Sequence, residues 1–291
     1  MHESAASSLA RARHAAARLL ALLILAGMAP APHADAPPLR ALVVTIIAQE
    51  GFLEWLVSDA VAAGTVPPLA VATSHVRSLS AHLDEGEWDL VIAHAHARPA
   101  QRLAARGVLG DGTAVFANPR TIIGPADDPA GLRGASDFDA ALARLFARGG
   151  CWVRHEHAGL AALQPRPDQT DGRCVLAADG PGPLAALAAA RTHGAYTVWG
   201  YHPFMRTTRD GLAAVVIGDP RLLATLNAWT VTNSPRRTEA RALISLLAAP
   251  ATQARLPEFR LDDDTPNQAW WPAAAAMEAA SAPGAGQASP P

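Results

Sequence analysis

The sequence predicts an α/β protein built as two lobes. Three observations lead there. From residue 39 onward, short apolar runs of strand length alternate with segments of helical spacing, as they do when helices cover a mainly parallel sheet. A second alternating set follows residue 212. Between the two lies a smaller α/β stretch, so the chain leaves one sheet, builds a second unit and returns. Two lobes joined by crossing strands leave a cleft, and clefts between lobes are where small ligands bind.

The chain has 291 residues, half of them apolar, enough for two lobes with sizeable cores. Residues 1–36 read as an export signal. Arg11, Arg13 and Arg18 flank the apolar run 19–28, and Ala34-Asp35-Ala36 offers a small-residue cleavage site. That run is shorter than the ~20 apolar residues a membrane span needs. A soluble, periplasmic protein is expected.

Residues 39–47 form a nearly continuous apolar run, the pattern of a strand buried on both faces. Phe52, Trp55, Leu56 and Ala60 share a face at helical spacing over 51–61. After Pro67-Pro68, residues 69–73 read as a strand, 74–83 as a helix and 88–93 as a strand. Residues 99–106 read as a helix closed by Gly107. Residues 114–117 make a shorter strand. Thr121, Ile122 and Ile123 then read as a separate buried strand stopped by Gly124-Pro125, and Asp127-Asp128 before Pro129 supplies capping carboxylates. So abrupt a stop suits a crossing between lobes.

Ser136 is expected to cap a helix over 137–148, with Phe138, Leu142, Leu145 and Phe146 on its apolar side. Strands follow at 151–154 and 174–177, then an Ala-rich helix over 184–191 and a strand over 195–198. The returning set is a strand at 212–217, a helix at 220–226, a strand at 228–232 and a helix at 238–247. Lobe 1 is thus assigned to 39–120 and 204–272, lobe 2 to 121–203, together a domain over 37–272. Residues 273–291 are expected to be a disordered tail.

Composition excludes some functions. The net charge of −2 gives no footprint for nucleic acid. All 24 basic residues are arginine, which removes Schiff-base lysines and a P-loop. No G-x-S-x-G elbow occurs and the histidines are scattered, so the chain does not read as an enzyme, and no cofactor is required. Cys151 and Cys174 either pair in an oxidising compartment, closing a loop worth ~3 kcal/mol, or remain buried thiols.

Four segments carry a family pattern. Residues 122–132, Ile-Ile-Gly-Pro-Ala-Asp-Asp-Pro-Ala-Gly-Leu, are similar to a run I/V-x-G-P-x-D-D-P-A-G-I/L. Residues 89–95 look like D-V-L-L-V-H-A, and Gly194-Ala195-Tyr196-Thr197 matches G-A-Y-T. Phe259-Arg260-Leu261-Asp262 and Gln268 to Pro272 resemble the family's C-terminal segment. In these the chain resembles the solute-binding proteins of tungstate-type ABC importers, from about residue 39 to 272. The resemblance implies a type II periplasmic binding protein fold, a monomer, an oxyanion or other small-molecule ligand between the lobes, and an ABC permease as partner.

Carried over residue by residue, it implies ligand contacts from Thr45 and Ala48 after the first strand, from Thr73 and Ser74 after the second, and from Arg154 and His157. Trp199 and Tyr201 would stack on the ligand or fill the space between lobes. Where the family shows T-T-T-S, this chain has Thr45-Ile46-Ile47-Ala48, followed by Gln49-Glu50. Where it shows S-R-G-D-N-S-G-T, this chain has Val153-Arg154-His155-Glu156-His157-Ala158-Gly159-Leu160. Hydrogen bonds to a charged group are worth ~1.5–3 kcal/mol each, so the lost hydroxyls point away from tight tungstate binding and toward a larger or organic anion. His155-Glu156-His157 could hold zinc only with a further ligand, and otherwise lines the cleft. His94, on the family's V-H-A position, reads as structural. Alternatives are a binding-protein relative serving as a sensor or interaction module without transport, and a periplasmic metal-dependent hydrolase.

Overall fold

The computed structural model describes residues 36–48, 51–165, 170–261 and 268–276. The expected signal and the tail beyond residue 276 lie outside these, as does Glu50. Among the described residues no helix is long and apolar enough to cross a membrane.

The apolar run after Pro38 forms β1 (Leu39–Val44), buried at all but one position. Helix α1 (Phe52–Ala62) follows, then β2 (Leu69–Ser74), α2 (Leu79–Glu85), β3 (Leu90–His94) and α3 (Arg98–Ala105). The long strand β4 (Thr113–Pro125) leads to α4 (Phe138–Ala147), β5 (Trp152–Arg154), β6 (Val175–Ala177) and α5 (Gly182–His193). Then come β7 (Thr197–Gly200), α6 (Tyr201–Met205), β8 (Leu212–Val216) and β9 (Leu223–Thr230). Helices α7 (Arg237–Ala248) and α8 (Pro250–Arg255) complete the set. The main sheet has the order β2-β1-β3-β9-β4-β7, with β8 also against β4, while β5 and β6 pair separately. Among the described strands, β1–β2, β1–β3 and β5–β6 pair in parallel, with an isolated parallel bridge from Trp152 to Tyr196; β9, β4, β7 and β8 join antiparallel. The sheet is therefore mixed rather than mainly parallel.

Strand β4 is the spine. Its first part, residues 113–119, pairs with β9, and its second, residues 120–125, pairs with β7 and β8. The sequence suggests two short strands here because Asn118-Pro119-Arg120 looks like a break. Proline lacks a donor, but it sits where the strand changes partners, so the chain stays extended. The expected helix at 220–226 fails for a related reason. Only Pro220–Leu222 makes a 3₁₀ turn, capped by Asp219, and Leu223 already pairs with Pro119 at the start of β9.

Two sets of buried side chains flank the change of partner. The larger gathers β1, β3, α1 and α7 around Phe52, Phe116 and Trp270, with the Phe52 and Trp270 rings stacked 4.2 Å apart. The others gather Ile122, Phe138, Leu145, Trp152 and Val198, and beside them Ile123, Leu187, Phe204 and Leu212. Phe204, Leu212, Val215 and Leu222, assigned to lobe 1 from the sequence, thus pack with the second set. Residues 273–276, assigned to the tail, are helical, and Ala276 packs on Ala117 and Leu223.

The stretch 121–134 is held by side-chain chemistry. Asp128, at φ 47°, accepts from the Leu132 and Arg133 amides (3.0 and 2.9 Å) and from the Tyr196 hydroxyl (3.0 Å). Tyr196 in turn accepts from the Ala130 amide at 3.1 Å. Gly124 is obligatory beneath this ring, since a Cβ there would lie 2.1 Å from Tyr196 Cδ1. The cap of α4 is Asp137, which accepts from the Ala140 amide; Ser136 donates to Asp137 instead of capping. Cys151 and Cys174 form a disulfide next to the paired Trp152 and Val175.

Candidate functional site

Parallel strands that end together leave a crevice at their carboxyl ends, where unpaired backbone donors and loop side chains collect. Here Val44 is level with Ser74, and Val43 with both Thr73 and Ile92, so β1, β2 and β3 end side by side. Thr45, Thr73 and His94 are brought to this edge. Thr45 and Thr73 are exposed and Ala48 is half-buried, whereas Ser74 is buried and donates its hydroxyl to the His75 carbonyl at 2.9 Å.

From the same edge, His94 Nε2 lies 3.2 Å from Asn118 Oδ1 on β4, and the His96 ring is 5.4 Å from that of His94. The opposite wall comes from the loop after β5. A Cβ on Gly159 would lie 3.3 Å from His157 Cε1 and 3.7 Å from His96 Nε2, so this glycine lets the two histidine loops approach closely. Arg120 stands on β4 just past its change of partner. It is half-buried, and among the described residues no hydrogen bond or ion pair reaches its guanidinium.

Burial first, then the charges of His96 and Arg120, pushes His94 down to about 3. His96 is lowered by burial and by Arg120 and His157, and His157 by burial, His155, Arg120 and Arg77. Burial alone brings Arg120 down to about 10, so it remains a cation at neutral pH. Every charge acting on His94 and His96 among the described residues is positive. The cluster is three imidazoles around one unpaired guanidinium, which is chemistry for an anion.

The other expected residues are placed differently. Arg154 is exposed at the end of β5, in a recess of ≈ 690 Å³ that also takes in His155, Glu156, residues 175–178, Gly180 and Pro181. His155 is buried, its Nε2 donating to the Val198 carbonyl at 2.8 Å. Among the described residues no group of three or more His, Cys, Asp or Glu side chains could hold a metal. Trp199 is half-buried against both smaller cores. Tyr201 is fully buried, because β7 ends at Gly200 and α6 begins at Tyr201, turning the ring inward. Of the two alternatives for this ring, stacking on a ligand has no exposed face to use. His202 is buried too, donating from Nε2 to the Ala269 carbonyl at 2.8 Å with its ring 4.6 Å from Trp270.

Sequence reasoning missed Arg120, Asn118 and His96 as site residues. The available signal was a polar pair flanking Pro119 between two apolar runs, together with a histidine pair directly after a parallel strand.

No protein-family model and no curated protein matches the chain. Solved structures do. A tungstate-binding protein from Desulfovibrio alaskensis G20 superposes with a TM-score of 0.58 at 22% identity, over 81% of this chain and 99% of that one. The tungstate ABC transporter structure from Geobacter sulfurreducens gives 0.54 at 19% identity, over 78% of this chain and 100% of that one. At these identities the likeness concerns architecture, and it agrees with the long crossing strand and the divided core: the chain has the type II periplasmic binding protein fold.

Proposed function

We propose that this protein is a non-catalytic, periplasmic solute-binding protein of an ABC-type importer, a monomer that takes a small anion between its two lobes and presents the closed form to a membrane permease. The observation that carries this reading is Arg120. A half-buried guanidinium without a partner gives up hydration and gains nothing in return, unless a ligand supplies the counter-charge. An anion there meets Arg120 and the ring nitrogens of His96 and His157, which come from opposite walls, so binding both walls at once favours closure. The tungstate named for the two similar structures supports an anionic cargo. The lobes are the group around Phe52 and Trp270 and the group around Ile122, Trp152 and Phe204, with β4 passing between them.

The test is a thermal-shift screen of the mature protein against tungstate, molybdate, sulfate and organic acids, followed by calorimetric titration of each hit. A ligand at a hundred times its Kd adds about 2.7 kcal/mol of stability, which such a screen reads as a raised Tm. Arg120→Gln should weaken binding of any hit at least tenfold. A hit that binds this variant as tightly as the parent protein would remove Arg120 from the site and the reading with it.

A further inference from the structure

We infer that the cargo is a small organic diacid, with one acid group on Arg120 among His94, His96 and His157 and the other on Arg154. This rests on the reading of the cleft as an anion site and specifies what that site takes.

Register places the two arginines on one face. Ile122 pairs with Val198, and Trp152 bridges Tyr196 in parallel, so Arg154 stands opposite Val198 and two strands away from Ile122. Arg120 lies two residues back along β4, and alternate residues share a face. With ~4.8 Å between strands and ~3.4 Å per residue, the two Cα atoms are about 12 Å apart. Among the described residues no ion pair or side-chain hydrogen bond engages Arg154 either.

Beside Arg154, where β5 pairs with β6, there is room for a carbon chain. The recess at Arg154 measures ≈ 690 Å³, within the usual range for organic ligands and far more than a tetrahedral oxyanion fills. Val175, Leu176, Ala177, Ala178 and Pro181 give it an apolar wall. His155 and Glu156 line this recess, and the chain runs on from them to His157, whose ring is 6.5 Å from that of His155. Glu156 lines the same recess, and its carboxylate disfavours a second bare dianion there, while an extended diacid can reach past it to Arg154.

The experiment is calorimetric titration of the mature protein with oxalate, succinate, adipate and suberate, with hexanoate as the monoacid and with tungstate. Affinity is expected to pass through an optimum among the longer diacids, with adipate at least tenfold tighter than hexanoate. In Arg154→Gln, which should retain the parent unfolding temperature, adipate affinity falls to that of hexanoate. Equal binding of adipate and hexanoate by the parent protein overturns the inference. So does tight tungstate binding with no diacid bound, although the anion-binding reading then stands. Binding of none of these anions removes both.

Discussion

Replacing Asp128 by alanine removes the acceptor for three donors at once: the amides of Leu132 and Arg133 and the hydroxyl of Tyr196, at 3.0, 2.9 and 3.0 Å. The carboxylate is 8% exposed and Tyr196 1%, so water cannot readily replace it. A hydrogen bond to a charged group contributes ~1.5–3 kcal/mol, and a buried donor left unpaired costs ~1–3 kcal/mol. Discounting the Arg133 amide, which is only part-buried, the loss should be about 3–5 kcal/mol. The φ of 47° adds to it, since alanine tolerates the left-handed region less well than aspartate. Asp128→Asn keeps one carbonyl acceptor and the backbone preference, and should lose about half as much. Urea unfolding at pH 7 reads both variants. An Asp128→Ala protein within 1 kcal/mol of the parent (about the scatter of such measurements) would show that this network is not what holds the stretch 121–134.

Three further outcomes are expected. Gly124→Ala should destabilise by about 1–3 kcal/mol in urea, because the Tyr196 ring it would strike is pinned at its hydroxyl by Asp128 and Ala130 and cannot move aside. Reducing the disulfide between Cys151 and Cys174 should cost about 3 kcal/mol, read as a lower unfolding midpoint with dithiothreitol and as no further change in Cys151→Ser/Cys174→Ser. Stability should also fall in mild acid. Burial holds His94 at about 3 and His202 at about 4, below 6.5, so the unfolded chain binds more protons than the folded one under pH 6.5. Their contribution is present above pH 6.5 and is lost as pH drops toward 4, at up to about 1.4 kcal/mol per pH unit for each ring. Thermal unfolding between pH 7 and 4.5 measures it, and His202→Gln should flatten the slope.

Much of the fold was legible because the signals are local. The apolar run of β1, the spacing of α1 and α4, and the Gly-Pro stop after Ile123 each report a nearby physical need. The exceptions are residues whose state is decided by a distant partner. Leu223 begins a strand because it pairs with Pro119, and Tyr201 turns inward because α6 starts there. The site was harder still. Arg154 and His157 carried a family pattern, but Arg120 did not, and its place beside His94, His96 and His157 appears only when β4 is seen to carry it between the two cores.

The stretch that carries the family likeness and the residues that face the cleft are separate physical systems. Asp128, Tyr196 and Gly124 satisfy one another: the carboxylate fills the orphan amides of the turn, the phenol bridges carboxylate and Ala130, and the glycine makes room for the ring. Changing any one leaves a buried polar atom unpaired or two atoms overlapping, so the set can only be kept whole. Thr45, Thr73 and His96 face solvent at strand ends, where a substitution leaves the sheet beneath unaffected. The Asp128 variants and the Arg120 variant should therefore separate cleanly. The first should lower unfolding free energy with ligand affinity preserved in the folded fraction, and the second should weaken affinity at least tenfold with the unfolding midpoint preserved or raised, since it removes a partly buried charge that has no partner among the described residues of the ligand-free protein.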